Sequence, residues 1–292
     1  MSRLLITGAN GFVGRHLVQA AMAAGHEVYA AGRRPPDAGF GPAPHRFIAL
    51  DLDTIPADPY RDFGRPDVVV HLAWQKLNDY FDPDHTDRFL WQHYELLRRL
   101  IEGGLPQLVV AGTCFEYGLR QGRIEESDPT EPVVPYALAK DLLHRLLRGL
   151  RMRRDYTLQW VRIFYIYGAD QRAKSLYPQL LSALAEGRES FDLSPGDQLR
   201  DYLPIQRVAR NLLGIAMQRQ VTGAINCCSG EPRTLKDWVQ QWAAEQGRAI
   251  SINTGVYPYL PYEPQAFWGA TEKLQAALAA AESCKPPQGE SV

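Results

Sequence analysis

Apolar positions along the chain follow two rhythms that take turns. Short runs such as Leu4-Leu5-Ile6, Val28-Tyr29-Ala30-Ala31, Val68-Val69-Val70 and Leu108-Val109-Val110 are apolar at successive positions, as in strands covered on both faces. Between them apolar residues recur every three or four places: Val13, Leu17, Val18 and Ala21, then Phe89, Leu90, Tyr94, Leu97, Leu100 and Ile101, closed by Gly103-Gly104. Further strands are predicted over 46–50, 158–163 and 224–226. Further helices are predicted over 138–151, 176–186 and 208–217, and from a Thr234 cap to Gly247. Strand and helix alternate throughout, which predicts an α/β fold with a doubly wound parallel sheet.

Where the first strand meets the first helix stands Gly8-Ala9-Asn10-Gly11-Phe12-Val13-Gly14. A dinucleotide pyrophosphate needs bare backbone N–H groups and a helix N-terminus facing it, and a Cβ on the turn would hold it off. Gly8 allows the turn, Gly11 the approach, and Gly14 the close seating of helix on strand. The spacing is GxxGxxG, a variant of the Rossmann fingerprint GxGxxG, with a second strand about 20 residues on. An NAD site would carry an acidic residue at the end of that strand. Here Gly32 is followed by Arg33 and Arg34, whose guanidinium groups suit a 2′-phosphate, so NADP(H) is favoured, with NAD(H) the alternative. Asp51-Leu52, after the third strand, is placed to meet the adenine.

Length and composition narrow the class. The 292 residues carry 32 basic against 33 acidic side chains, a net charge of −1, which offers nothing to nucleic acid or an anionic membrane. The four cysteines form no CxxC pair, no metal-ligand cluster is seen, and no apolar run reaches a membrane span, so the expectation is a cytoplasmic protein. Tyr136 and Lys140 are four apart and share a helix face. Among 14 Tyr and six Lys this is the one Tyr-xxx-Lys pair. Taken alone the pair reads as a Tyr packed at a helix start beside a solvated Lys.

The order of motifs resembles the extended short-chain dehydrogenase/reductase family, the group of nucleotide-sugar epimerases, dehydratases and reductases. The resemblance is carried by 7–14, Asp51-Leu52, His71-Leu-Ala-Trp74, Thr113-Cys-Phe-Glu-Tyr-Gly118, Tyr136-Ala-Leu-Ala-Lys140, Arg162–Gly168 and Arg200-Asp-Tyr-Leu203, and it reaches to about Trp268. It implies a Rossmann domain over 1–167 plus about 204–230. A smaller interleaved substrate domain would take 168–203 and 231–282, with a disordered tail from 283. It implies Tyr136, Lys140 and Thr113 as catalytic residues, with pro-S-type hydride delivery: Tyr136 as general acid or base, Thr113 bonding the reacting oxygen, and the Lys140 ammonium favouring the phenolate of a phenol whose unperturbed pKa near 10 is too high for easy exchange at neutral pH. Cofactor contacts would come from Gly8, Asn10, Gly11, Phe12, Val13, Gly14, Arg33, Arg34, Asp51, Leu52, Leu72, Ala73, Trp74, Tyr136, Lys140 and Ile163.

Substrate contacts would come from Cys114, Phe115, Glu116, Tyr165, Arg200 and Tyr262. In the family's 4,6-dehydratases an Asp and a Glu follow the Thr. Cys114 and Phe115 cannot move those protons, so the resemblance points away from dehydration. It points to an NADPH-dependent reductase of nucleotide-linked 4-keto-6-deoxyhexoses, with a nucleotide-sugar epimerase and a non-catalytic NADP(H)-binding protein as alternatives. Helices 89–102 and 138–151 resemble the pair that many relatives use to form a homodimer.

Overall fold

The structure is a computed structural model that describes residues 2–35 and 44–283; most of the loop expected over 35–44, and residues 284–292 of the expected tail, lie outside them. The chain opens with β1 (Arg3–Thr7), α1 (Phe12–Ala23), β2 (Glu27–Gly32), β3 (Arg46–Ala49), α2 (Pro59–Asp62) and β4 (Val68–His71). It continues with α3 (Leu90–Glu102), β5 (Gln107–Thr113), β6 (Gly122–Ile124), α4 (Pro135–Leu150), β7 (Thr157–Ile163) and β8 (Tyr165–Tyr167). Then come α5 (Leu176–Ala185), β9 (Ser190–Asp192), β10 (Leu199–Arg200), β11 (Tyr202–Pro204), α6 (Ile205–Ala216) and β12 (Gly223–Cys227). The last elements are β13 (Arg233–Thr234), α7 (Leu235–Glu245), β14 (Ser251–Asn253), β15 (Ala266–Gly269) and α8 (Glu272–Ser283). Ser283, expected in a disordered tail, thus closes a helix.

Seven strands form one parallel sheet in the order β12-β7-β5-β4-β1-β2-β3. Alternate residues of each strand feed opposite layers. Leu4, Ile6, Val70 and Val109 pack under α1, α6 and α8, while Leu5, Val69, Val110 and Trp160 pack under α3 and α4. Each such aliphatic side chain contributes about 1.5–3 kcal/mol on burial, so both faces of the sheet are fixed. The strand order reverses direction between β1 and β4, and there the connections diverge and leave a crevice at the carboxyl ends. Beyond it, α5 and α7 enclose Trp238, Trp242, Leu180 and Phe191, a second and smaller core. One helix starts differently from the periodicity reading. The stretch His85–Phe89 is a wide π turn ahead of α3, and it seats a buried His85 whose ring bonds Trp74 and the Asp79 carbonyl.

Candidate active site

A cleft of about 1560 Å³ follows the carboxyl ends of the central strands and is lined by the glycine corner at one end and by Thr113, Tyr136 and Lys140 further along. At the corner, Gly8 has φ +67°, and a Cβ there would stand 2.7 Å from the Ala73 nitrogen. At Gly14 a Cβ would stand 2.1 Å from the Gly8 carbonyl oxygen. The helix that begins there has no side-chain cap and no acidic residue in its first turn, so its leading N–H groups face the cleft without a partner from a capping side chain. The Asn10 side-chain oxygen is buried without a hydrogen bond, while its amide donates to the carbonyls of Arg34 (2.7 Å) and Pro35 (3.0 Å). These features fit a dinucleotide pyrophosphate, whose charge the helix end and bare backbone would hold. Phe12, Val13, Gly32, Arg33, Asp51 and Leu52 continue the lining outward.

The corner is tied to the reacting end by a buried hydrogen-bond chain. The Thr7 hydroxyl accepts from the Ala73 N–H (3.3 Å) and meets His71 Nδ1 at 2.9 Å. His71 Nε2 meets His93 Nδ1 at 2.8 Å, and His93 Nε2 meets the Gln75 side-chain oxygen at 2.7 Å. That oxygen can only accept, so His93 Nε2 carries a proton, and with both rings neutral the donors run one way from Thr7 to Gln75. Burial keeps both rings neutral, taking His71 down to about 3 and lowering His93 well below its ordinary value. His93 stacks on Trp74 at 4.4 Å, and the Lys140 ammonium lies 4.0 Å over the Trp74 ring.

Tyr136 and Lys140 enter on α4 and Thr113 on the end of β5, and all three are buried. Tyr136 and Thr113 line the cleft together, and Lys140 Nζ donates to the Ala111 carbonyl at 2.8 Å. Burial pushes the Tyr136 phenol well above its ordinary value, with Tyr80 adding to the rise. Burial also takes the Lys140 amine down to about 7, opposed by Glu116. The expectation that the ammonium draws the phenol down is therefore corrected for the protein alone. Desolvation outweighs the neighbouring charge on both groups, and the phenol stays protonated at neutral pH, as a proton donor requires.

Of the residues singled out from sequence, Leu72, Ala73, Trp74, Cys114, Phe115, Ile163, Tyr165 and Arg200 also line the cleft. Glu116 is a correction. It is fully buried, and its carboxylate is occupied by Thr113, Trp160 and Arg162, so it meets no substrate. Arg200 is buried with its charge balanced by Glu263 at 2.9 Å rather than left for a phosphate. Tyr262 packs on Phe81 and Phe115 outside the lining, and Arg34 is exposed beyond it. Sequence reasoning missed Tyr80, whose ring stacks on Tyr136 at 5.1 Å and whose carbonyl accepts from the Tyr136 N–H at 3.1 Å. It also missed His93 and Glu263. Tyr80 lies in an aperiodic loop, His93 follows the helical pattern of its core neighbours, and Glu263 lies among prolines, so none carries a local signal.

Comparison with known proteins places this geometry in a family. The chain is 30% identical over 275 residues, 91% of its length and 99% of the relative's, to a dTDP-6-deoxy-L-talose 4-dehydrogenase (NAD(+)) of Aggregatibacter actinomycetemcomitans. It is 27% identical over 253 residues, 82% of its length and 78% of the relative's, to a GDP-6-deoxy-D-mannose reductase of Pseudomonas aeruginosa. The solved structure of MoeE5 in complex with UDP-glucuronic acid and NAD superposes with a TM-score of 0.80 at 26% identity, covering 95% of this chain and 93% of that one. The sequence profile of the NAD dependent epimerase/dehydratase family matches residues 4–228. The glycine corner, the seven-stranded parallel sheet and these matches together establish that the chain belongs to the NAD dependent epimerase/dehydratase family and is an NAD(P)-dependent enzyme.

Proposed function

We propose that the protein is an NADPH-dependent reductase of a nucleotide-linked 4-keto-6-deoxyhexose, acting at C4 with Tyr136 as proton donor. The observation that carries this reading is the meeting of three buried side chains, Tyr136, Thr113 and Lys140, in the cleft that the glycine corner opens. Reduced nicotinamide supplies the hydride when bound. The chain's own residues do the rest: Tyr136 gives its proton to the sugar oxygen, Thr113 holds that oxygen in line, and Lys140, as the ammonium, balances the phenolate left behind. Cys114 is buried with its thiol held neutral by desolvation, and Phe115 is apolar, so neither supports water elimination. Oxidation of a C4 alcohol and reduction of a C4 ketone are one reaction in two directions. A relative named as a 4-dehydrogenase and one named as a reductase therefore support the same chemistry.

NADP(H) is the favoured cofactor because Gly32 stands where a carboxylate would meet the 2′-hydroxyl and Arg33 lines the cleft. The Aggregatibacter relative's name carries NAD(+), so the choice is tested by running both cofactors. Among the described residues no helix is long and apolar enough to cross a membrane. Trp91 on α3, and Leu138 and Leu142 on α4, are exposed on adjoining helices, and we assign them to a homodimer face.

The test is NADPH consumption against dTDP-, CDP-, GDP- and UDP-linked 4-keto-6-deoxyhexoses. One member is expected to turn over with one NADPH oxidised per C4 alcohol formed. Interconversion of C4 alcohols without net NADPH loss would make the protein an epimerase. NADPH binding without turnover of any sugar would make it a binding protein.

A further inference from the structure

Glu116 follows Thr113 by three residues, yet its side chain turns back beneath the strand end it came from. Its carboxylate accepts from the Thr113 N–H at 2.8 Å, from Trp160 Nε1 at 2.9 and 3.0 Å and from Arg162 Nε at 2.7 Å. In return the Thr113 hydroxyl accepts from the Phe115 N–H at 3.3 Å, a reciprocal cap that fixes the direction of the Thr113 side chain. Gly112 makes room for this, since a Cβ there would stand 2.3 Å from Trp160 Nε1 and 2.6 Å from the Glu116 oxygen. On the same strand end Lys140 Nζ is held by the carbonyl of Ala111. Every group within reach of the carboxylate is a donor. Burial raises the Glu116 carboxyl, opposed by the Arg162 guanidinium and by the Thr113 and Trp160 N–H donors, and a protonated Glu116 would find no acceptor among these partners, so the anion is the form the site is built for.

From this geometry we infer that Glu116 is a positioning residue for the reaction: its buried carboxylate fixes Thr113 at the end of β5 and supplies, at the same strand end, the negative charge that favours the ammonium form of the Lys140 side chain bonded to the Ala111 carbonyl. The inference rests on the reading of Thr113, Tyr136 and Lys140 as reacting groups. The titratable groups whose charge bears on Lys140 are Glu116 in the turn after β5, His71 on β4 and His93 on α3, and Tyr136 shares its helix. Both histidines are neutral and the phenol is protonated, which leaves Glu116 as the group that favours the charged amine. Arg162 lies beyond Glu116 and is balanced by it. No substrate contact is required of Glu116, which explains why a wholly buried carboxylate stands one residue from the cleft lining.

The experiment compares wild type, Glu116→Gln and the double variant Glu116→Gln with Arg162→Met, which removes both buried charges. The readouts are the pH titration of the Lys140 side-chain 13Cε resonance, thermal unfolding, and kcat and KM for NADPH and sugar. In Glu116→Gln the Lys140 midpoint is expected to fall at least one pH unit below that of wild type, and kcat to fall at least tenfold with KM for NADPH within threefold. In the double variant stability should recover while the Lys140 midpoint and kcat stay low. Should Glu116→Gln not fold, the double variant carries the same test. A Lys140 midpoint and kcat at wild-type values in the double variant would show that Glu116 serves only to neutralise Arg162, and would overturn the inference. The titration needs no substrate. Absence of turnover on every sugar would thus sink the proposed function, whereas an unmoved lysine with turnover intact would sink the role of Glu116 alone.

Discussion

The two ends of the cleft are made of different material. At the dinucleotide end the surface is backbone: Gly8, Gly11 and Gly14, the open start of α1, and strand ends brought so close that a single Cβ would strike the Ala73 nitrogen or the Gly8 carbonyl. At the reacting end it is side chain, drawn from β5, α4, β8, β10 and loops far apart in sequence, each held by a partner: Tyr136 by Tyr80, Lys140 by Ala111 and Trp74, Arg200 by Glu263. A backbone surface tolerates no added atom but asks little of its neighbours. A side-chain surface tolerates substitution of shape but depends on charges and donors set from behind.

The sharpest break of the first kind is Gly14→Val. Its Cβ would lie 2.1 Å from the Gly8 oxygen, so the helix must leave the strand or the turn must open, at a cost of about 3 kcal/mol or more. NADPH affinity measured by fluorescence titration is expected to fall at least 100-fold, with a lowered unfolding midpoint. Unchanged affinity would mean the corner is not the pyrophosphate seat. A milder change at the same end is Arg33→Ala, which adds no atom and disturbs no backbone. The ratio of kcat/KM for NADPH to that for NADH is expected to drop about tenfold, about 1.4 kcal/mol. An unchanged ratio would assign Arg33 to solvent and reopen NAD as the cofactor.

The same contrast explains what was legible in the sequence. The sheet could be read because strands covered on both faces are apolar at every position, and the corner because a missing Cβ is written as glycine. The Tyr136–Lys140 pair could be read because helical periodicity puts positions four apart on one face. Glu116 could not. Whether a carboxylate after a strand faces cleft or core depends on Trp160 and Arg162, more than 40 residues later, and their partnership with it exists only once β5 and β7 are paired. Arg200 was readable as a charge near the substrate end, but its neutralisation by Glu263 is settled by an irregular segment without periodicity. Burial, likewise, is a property of the assembled cleft, which is why the upward shift of the Tyr136 phenol runs against the expectation from its helical neighbour.

The central claim is that a protonated phenol on α4 finishes a reduction whose cofactor is seated by the glycine corner. The most direct test is Tyr136→Phe, assayed for NADPH oxidation on the preferred 4-keto-6-deoxy nucleotide sugar and for NADPH affinity in the same preparation. Turnover is expected to fall about 100-fold or more while NADPH affinity stays within about threefold of wild type. Turnover near the wild-type rate would contradict the account, because the proton would then come from elsewhere.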